Sequence, residues 1–175
     1  MPTEFVTNSQ IYEQVIQGAI PSARHYVWIA TADIKDLYVR KAGDRMVPFL
    51  EVLSDRILGG VSVRLIHAKE PGPNFREDFD RYPALLEGLE QILCPRTHFK
   101  CVIVDGTFAY AGSANLTGAG MGAKSDRRRN FENGFITTDQ EFIELIAGQF
   151  DRVWMGAPCE LCDRKEFCAD SRDMN

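Results

Sequence analysis

The sequence specifies an α/β protein: a mixed, mostly parallel β-sheet with helices on both faces, followed by a short Cys-rich C-terminal tail. Three observations lead to that class. Two runs of strand length, His25–Ala32 and Val61–Ile66, are mostly apolar along their whole length, as strands buried on both faces are. A helical stretch, a Gly-Gly stop and an apolar strand follow one another in the order expected of a βαβ unit. Finally, Cys101–Ala111 contains two extended segments around Asp105-Gly106, a tight-turn dipeptide, and therefore reads as a hairpin.

Taken in order, Ile11, Val15, Ile16 and Ile20 recur at near-helical spacing behind Asn8 or Ser9 as the cap, and Pro21 ends that helix. The strand over 25–32 follows, and its end, Thr31 to Asp33, is where an α/β protein places cleft residues. Residues 34–43 are polar and carry no clear pattern. Met46 to Leu58 reads as a second helix, closed by Gly59-Gly60. After the strand over 61–66 and a Pro-Gly loop over 70–74, Asp78 to Leu89 suggests a third helix interrupted by Pro83. Ile92–Pro95 is a short strand or a lead-in to the hairpin. Beyond the hairpin, three glycines within 116–122 indicate a loop, 131–137 a strand, and 139–154 an amphipathic helix with Phe142, Ile143, Leu145, Ile146, Phe150, Val153 and Trp154 on a broad face.

The chain has 175 residues, of which 45 % are hydrophobic and 26 % charged, enough for one ordinary core. No apolar run approaches the ~20 residues of a membrane helix, and the start Met1-Pro2-Thr3-Glu4 lacks the basic and apolar regions of a signal peptide, so a cytoplasmic location is expected. The net charge of −5 does not mark the whole molecule as a polyanion binder, although charge can act locally. Arg127-Arg128-Arg129, with Lys124 nearby, is such a local feature. Its bland reading is a solvated loop.

The chemistry is concentrated between 98 and 132. His98-x-Lys100, Asp105 and Gly112-Ser113-x-Asn115 fix six positions in the spacing H-x-K-x4-D-x6-G-S-x-N. At about 5 % usage per residue type, a given window matches by chance with probability ~10⁻⁸, or ~10⁻⁶ over the chain. Alternation places His98 and Lys100 on one face of the first strand, while the small residues of the return strand allow close approach to a ligand. An imidazole that titrates near neutrality, an ammonium, a hydroxyl and an amide converge there, a set suited to attack on phosphorus and to holding phosphoryl charge without a metal.

These residues, with Asn130-Phe131-Glu132, resemble the phospholipase D superfamily, and the likeness covers every motif position. The resemblance implies a phospholipase D-like domain over residues 1–156, with 157–175 as the tail. It implies that His98 forms a phosphohistidine, that Lys100, Ser113 and Asn115 hold the phosphate, that Asp105 supports the site and that Glu132 orients His98. Superfamily members build one site from two motif copies. This chain has one, which implies a homodimer like the small single-motif members, among them bacterial endonucleases. The expectation is a nuclease-type phosphodiesterase with metal-independent catalysis, acting on nucleic acid contacted by Arg127, Arg128 and Arg129. Phospholipid headgroup hydrolysis or transfer, and a DNA-associated binding module with weak or no catalysis, are the alternatives.

Two further sets need weighing. His67-x-Lys69 is a second H-x-K, but Asn74 stands where Asp is required and no G-S-x-N follows. His67 or Lys69 either lines the cleft or is structural, and His25 reads as a locally satisfied histidine. Cys159-x2-Cys162-x5-Cys168 has metal-like spacing and marks a structural zinc site, with an iron–sulfur cluster or unligated thiols as alternatives. Tetrahedral zinc needs a fourth ligand: Cys94, His67, Asp170 or a residue of another subunit. Cys94 and Cys101 otherwise read as small apolar strand residues.

Overall fold

The computed structural model describes residues 2–35 and 37–170. Among the described residues nine strands are present: β1 (Thr3–Thr7), β2 (Tyr26–Thr31), β3 (Tyr38–Arg40), β4 (Met46–Pro48), β5 (Ser62–His67), β6 (Leu89–Leu93), β7 (Lys100–Val104), β8 (Phe108–Gly112) and β9 (Asn133–Thr137). Seven form one sheet in the order β1-β9-β8-β7-β2-β5-β6, and β3 and β4 form a small separate ribbon. The sheet is mixed, as expected, but its balance is the reverse of the expected one. Only β2–β5 and β5–β6 are parallel, whereas β2–β7, β7–β8, β8–β9 and β1–β9 are antiparallel. The helical crossovers of the first half do produce parallel neighbours. The tight turn at Asp105-Gly106 can only produce an antiparallel one, and β7 itself enters beside β2 in the opposite sense.

Among the described residues five helices pack on the sheet. The first, α1, begins at Ser9–Ile11 and continues through Tyr12–Ala19 with wider, i→i+5 hydrogen bonding, as in Ile20 N–H to the Val15 carbonyl. Asn8 is not its side-chain cap. Instead Asn8 has φ 50° and its Oδ1 accepts from the Glu132 amide at 3.1 Å, which ties β1 to the entry of β9. The second helix, α2 (Phe49–Leu58), starts later than its apolar pattern suggests because Met46–Pro48 is β4. Pro83 divides the third stretch into α3 (Pro73–Asp80) and α4 (Pro83–Gly88), and it sits where a missing N–H is harmless. Asp139 caps α5 (Gln140–Trp154), its carboxylate accepting from the Glu141 amide at 3.0 Å and the Phe142 amide at 3.4 Å.

Alternation along the strands divides the core. Val27, Ile29, Val63, Leu65, Val102, Val104 and Tyr110 face α1, α2 and α4. Ala30, Ile66, Cys101, Ile103 and Ala109 face α5 with its Ile143, Phe150 and Trp154. On that second face Trp28, Phe150 and Trp154 stack in series at centroid distances of 5.1 and 5.8 Å, and Arg64 lies over both tryptophans. Each such aromatic pair is worth about 0.5–1.5 kcal/mol beyond area burial. Among the described residues no helix is long and apolar enough to cross a membrane.

Candidate active site

The end of the sheet where β2 and β5 finish is also where β7 begins and β8 ends, so several motif residues meet there. His98 lies just before β7 rather than within it, and its side chain is exposed. Lys100 opens β7 and is 8 % exposed. Its ammonium donates to the His98 carbonyl at 2.6 Å and lies 3.4 Å from His98 Nδ1. Lys100 faces Gly112 across the β7–β8 pair, which brings Ser113 and Asn115 alongside.

Asn115 is oriented by its oxygen. Its Oδ1 accepts from the amides of Ala32 and Asp33, each at 3.2 Å, while the Thr31 hydroxyl donates its one proton to the Asp33 carbonyl at 2.7 Å. With the oxygen so engaged, the NH2 group of Asn115 is left as a donor. Ser113 behaves differently: its hydroxyl donates to the Glu132 carboxylate and accepts from the Asn133 amide at 3.1 Å. The same carboxylate accepts from Asn130 Nδ2 at 3.0 Å. Among the described residues, then, Glu132 is engaged by Ser113 and Asn130 rather than by His98. Of the expected phosphate holders, Lys100 and Asn115 are the ones with donors to spare.

Asp105 stands at the other end of β7, in the hairpin turn, with φ 53°. Its Oδ1 accepts from the amides of His25 and Tyr26 and its Oδ2 from that of Arg24, all at 2.8 Å. Burial works to raise this carboxyl, but those three amides outweigh it and hold the group below the ordinary carboxylate range. Asp105 therefore locks the start of β2 to the β7–β8 turn, at the opposite end of the sheet from Lys100 and Asn115.

A residue with no signal of its own in the sequence is Tyr110. It is fully buried beneath the site, its hydroxyl accepts from the Ala114 amide at 3.3 Å, and burial pushes its phenol up to about 12. It also explains the motif glycine: a Cβ on Gly112 would lie 2.3 Å from the Tyr110 oxygen, and one on Gly134 would lie 2.5 Å from its ring. Periodicity shows only an apolar aromatic at 110, so its hydroxyl could not have been assigned.

The remaining candidates fall in different places. Arg127, Arg128 and Arg129 lie on the 113–132 loop between Ser113 and Glu132. Arg129 pairs with Asp126, whereas Arg127 and Arg128 are exposed. His67 ends β5 beside Thr31 of β2, is 5 % exposed, and its Nδ1 lies 2.8 Å from the Lys69 carbonyl. Two strand spacings, about 10 Å, separate it from Lys100. His25 is exposed at the opposite end, next to Asp105.

The C-terminal segment folds back under the lead-in to His98. Leu93 N–H donates to Asp170 at 2.7 Å, and the Cys168 thiol donates to the Leu93 carbonyl at 3.3 Å. Cys159, Cys162 and Cys168 share a pocket of about 190 Å³ with Cys94. All five cysteines are free, and among the described residues no three His, Cys, Asp or Glu side chains already stand arranged around a metal position.

No curated protein is similar enough in sequence to count as a relative. Among solved structures, Nuc of Salmonella typhimurium, a phospholipase D family member, is 16 % identical, with 87 % of this chain and 93 % of that one aligned at a TM-score of 0.62. NucT of Helicobacter pylori is 18 % identical over 86 % of this chain and 94 % of its own, at 0.59. TrmBL2, an archaeal chromatin protein whose structure shows a mode of DNA binding, is 13 % identical over 89 % of this chain and 52 % of its own, at 0.61. These likenesses establish a shared fold. The family described as cardiolipin synthase, PLD-like domain, matches residues 16–154, and the chain therefore belongs to the phospholipase D-like family.

Proposed function

We propose that this protein is a nuclease-type phosphodiesterase that works through a phosphohistidine on His98, in a site completed by a second copy of the chain. The observation that carries the reading is the convergence at one sheet end of an exposed imidazole, the Lys100 ammonium and the Asn115 side-chain amide, whose oxygen is engaged by backbone. His98 attacks phosphorus, a P–N bond forms, and the P–O bond to the leaving group breaks. Lys100 and Asn115 hold the phosphoryl oxygens as negative charge develops. Glu132, anchored by Ser113 and Asn130, keeps the 113–132 loop against the site.

The departing alkoxide needs a proton. The chain's other histidines are badly placed: His67 is buried about 10 Å away and His25 is at the far end. A two-fold axis would bring in the His98 of a second copy as the general acid, since an isologous contact pairs a residue with itself. That imidazole then removes a proton from water, which attacks the phosphohistidine and releases phosphate monoester and free His98. No step requires a resident metal ion.

The exposed Arg127 and Arg128, on the loop that joins Ser113 to Glu132, favour a polyanionic strand over a lipid headgroup as substrate. The free thiols suit a reducing compartment, and the cytoplasm is the natural location. The test is hydrolysis of bis(p-nitrophenyl) phosphate and of single- and double-stranded DNA by protein as purified, without added metal ion, with His98→Ala beside wild type. Loss of turnover by at least ~10³-fold in a folded variant is expected. Undiminished turnover in His98→Ala refutes the nucleophile, and DNA binding without turnover by wild type points instead to a binding module.

A further inference from the structure

The pocket under the His98 lead-in gathers four of the chain's five cysteines from distant parts of the sequence. Cys94 follows β6, Cys159 and Cys162 lie in the turns after α5, and Cys168 follows a short 3-10 turn at Lys165–Phe167. We propose that Cys94, Cys159, Cys162 and Cys168 form a tetrathiolate zinc site that clips the tail to the segment carrying His98.

Two observations besides the spacing and the shared pocket point there. Arg96 lines the same pocket as the four cysteines. A tetrathiolate around a divalent ion carries an excess of two negative charges, and a guanidinium at its edge compensates part of it. Thr97 lines the same pocket and is 3 % exposed, yet its hydroxyl is without a hydrogen-bond partner among the described residues. A buried donor of that kind is rare and marks a missing acceptor, which a ligating sulfur would supply.

Protonated thiols turn to nearby acceptors, as Cys168 does toward the Leu93 carbonyl, so the sulfurs do not already surround a common point. Zinc binding replaces four S–H protons, which are released, with four Zn–S bonds and draws the four sulfurs toward one point. The consequence for the active site is positional. Cys94 lies four residues before His98, and Phe99, between His98 and Lys100, lines the pocket. Loss of zinc would loosen the support of His98 while the sheet stays folded.

The inference is independent of the catalytic reading and is tested without activity. Full-length protein, purified without added metal, is analysed by native mass spectrometry and elemental analysis, and the apoprotein is titrated with Co²⁺. One zinc per chain and an intense thiolate-to-cobalt charge-transfer band are expected. Cys94→Ser and Cys162→Ser should each lose both signals, Thr97→Val should weaken cobalt binding by about 10–100-fold, and Cys101→Ala should keep the metal. Cys162 lies outside the sheet, so its variant keeps the test decisive if Cys94→Ser fails to fold. Metal-free wild type with all four thiols alkylated as fast as in denatured protein would overturn the site. Zinc retained in Cys94→Ser would overturn the ligand set, and iron with sulfide would overturn the ion.

Discussion

Replacing Asp105 separates support of the site from chemistry within it. Asp105→Ala removes the acceptor for three amides at 2.8 Å. The Arg24 and His25 amides belong to exposed residues and can regain water, while the Tyr26 amide is part-buried and is the costly one to strand, at about 1–3 kcal/mol. Holding Ala at φ 53° adds about 1 kcal/mol. The sum, roughly 2–4 kcal/mol, corresponds to a melting temperature lower by about 5–15 °C in a chain of this size. Asp105→Asn tolerates the same backbone and keeps one acceptor oxygen, so about 1–2 kcal/mol is expected. The carboxyl is held low in the fold, so its contribution is complete above its unfolded pKa, near 4, and fades as the pH falls through the folded value. Urea denaturation of wild type and Asp105→Asn should therefore differ at pH 7 and converge in acid, with phosphodiester turnover of the folded variant within a few-fold of wild type. Unchanged stability with a hundredfold loss of turnover would refute the supporting role and place Asp105 in the chemistry.

Two other perturbations test the site's construction. Gly112→Ala drives a Cβ to 2.3 Å from the Tyr110 oxygen and 2.5 Å from the Asn133 carbonyl, so denaturation should show a loss of about 1–3 kcal/mol. Adding Tyr110→Phe should recover only part of it, because the Asn133 contact is backbone, and full stability in Gly112→Ala alone would contradict the packing. Arg127→Ala and Arg128→Ala should weaken binding to duplex DNA evenly across sequences. Each should lower the slope of log affinity against log salt by about 0.9 if it meets one phosphate, and an unchanged slope would leave the loop outside the interface.

Much of this was legible in the residues because the signals were local. The apolar runs became β2 and β5, Gly59-Gly60 stopped α2 with Gly60 at φ 85°, and Asp105-Gly106 made the hairpin turn. The edge strand β1 was not legible, because Val6 is its one buried residue and neither alternation nor an apolar run marks it. The antiparallel balance of the sheet depends on the direction in which β7 enters, which no local pattern encodes. At the site, the motif named the residues that meet but not their partners. The commitment of Ser113 to Glu132, the inward turn of the Asn115 oxygen and the removal of Asp105 to the far end arise from contacts across about 20 to 80 positions. The meeting of Cys94 with the tail is of the same kind.

The sharing of one site by two copies of His98 is tested most directly by subunit mixing. Wild type and His98→Ala chains are unfolded together, refolded at varied ratios with one equivalent of Zn²⁺ per chain, and assayed on a phosphodiester, with subunit exchange verified by native mass spectrometry. If each site needs both imidazoles, mixed dimers are nearly inactive and activity falls as the square of the wild-type fraction. A linear fall, or full activity in a protein shown to be monomeric, would contradict the shared site.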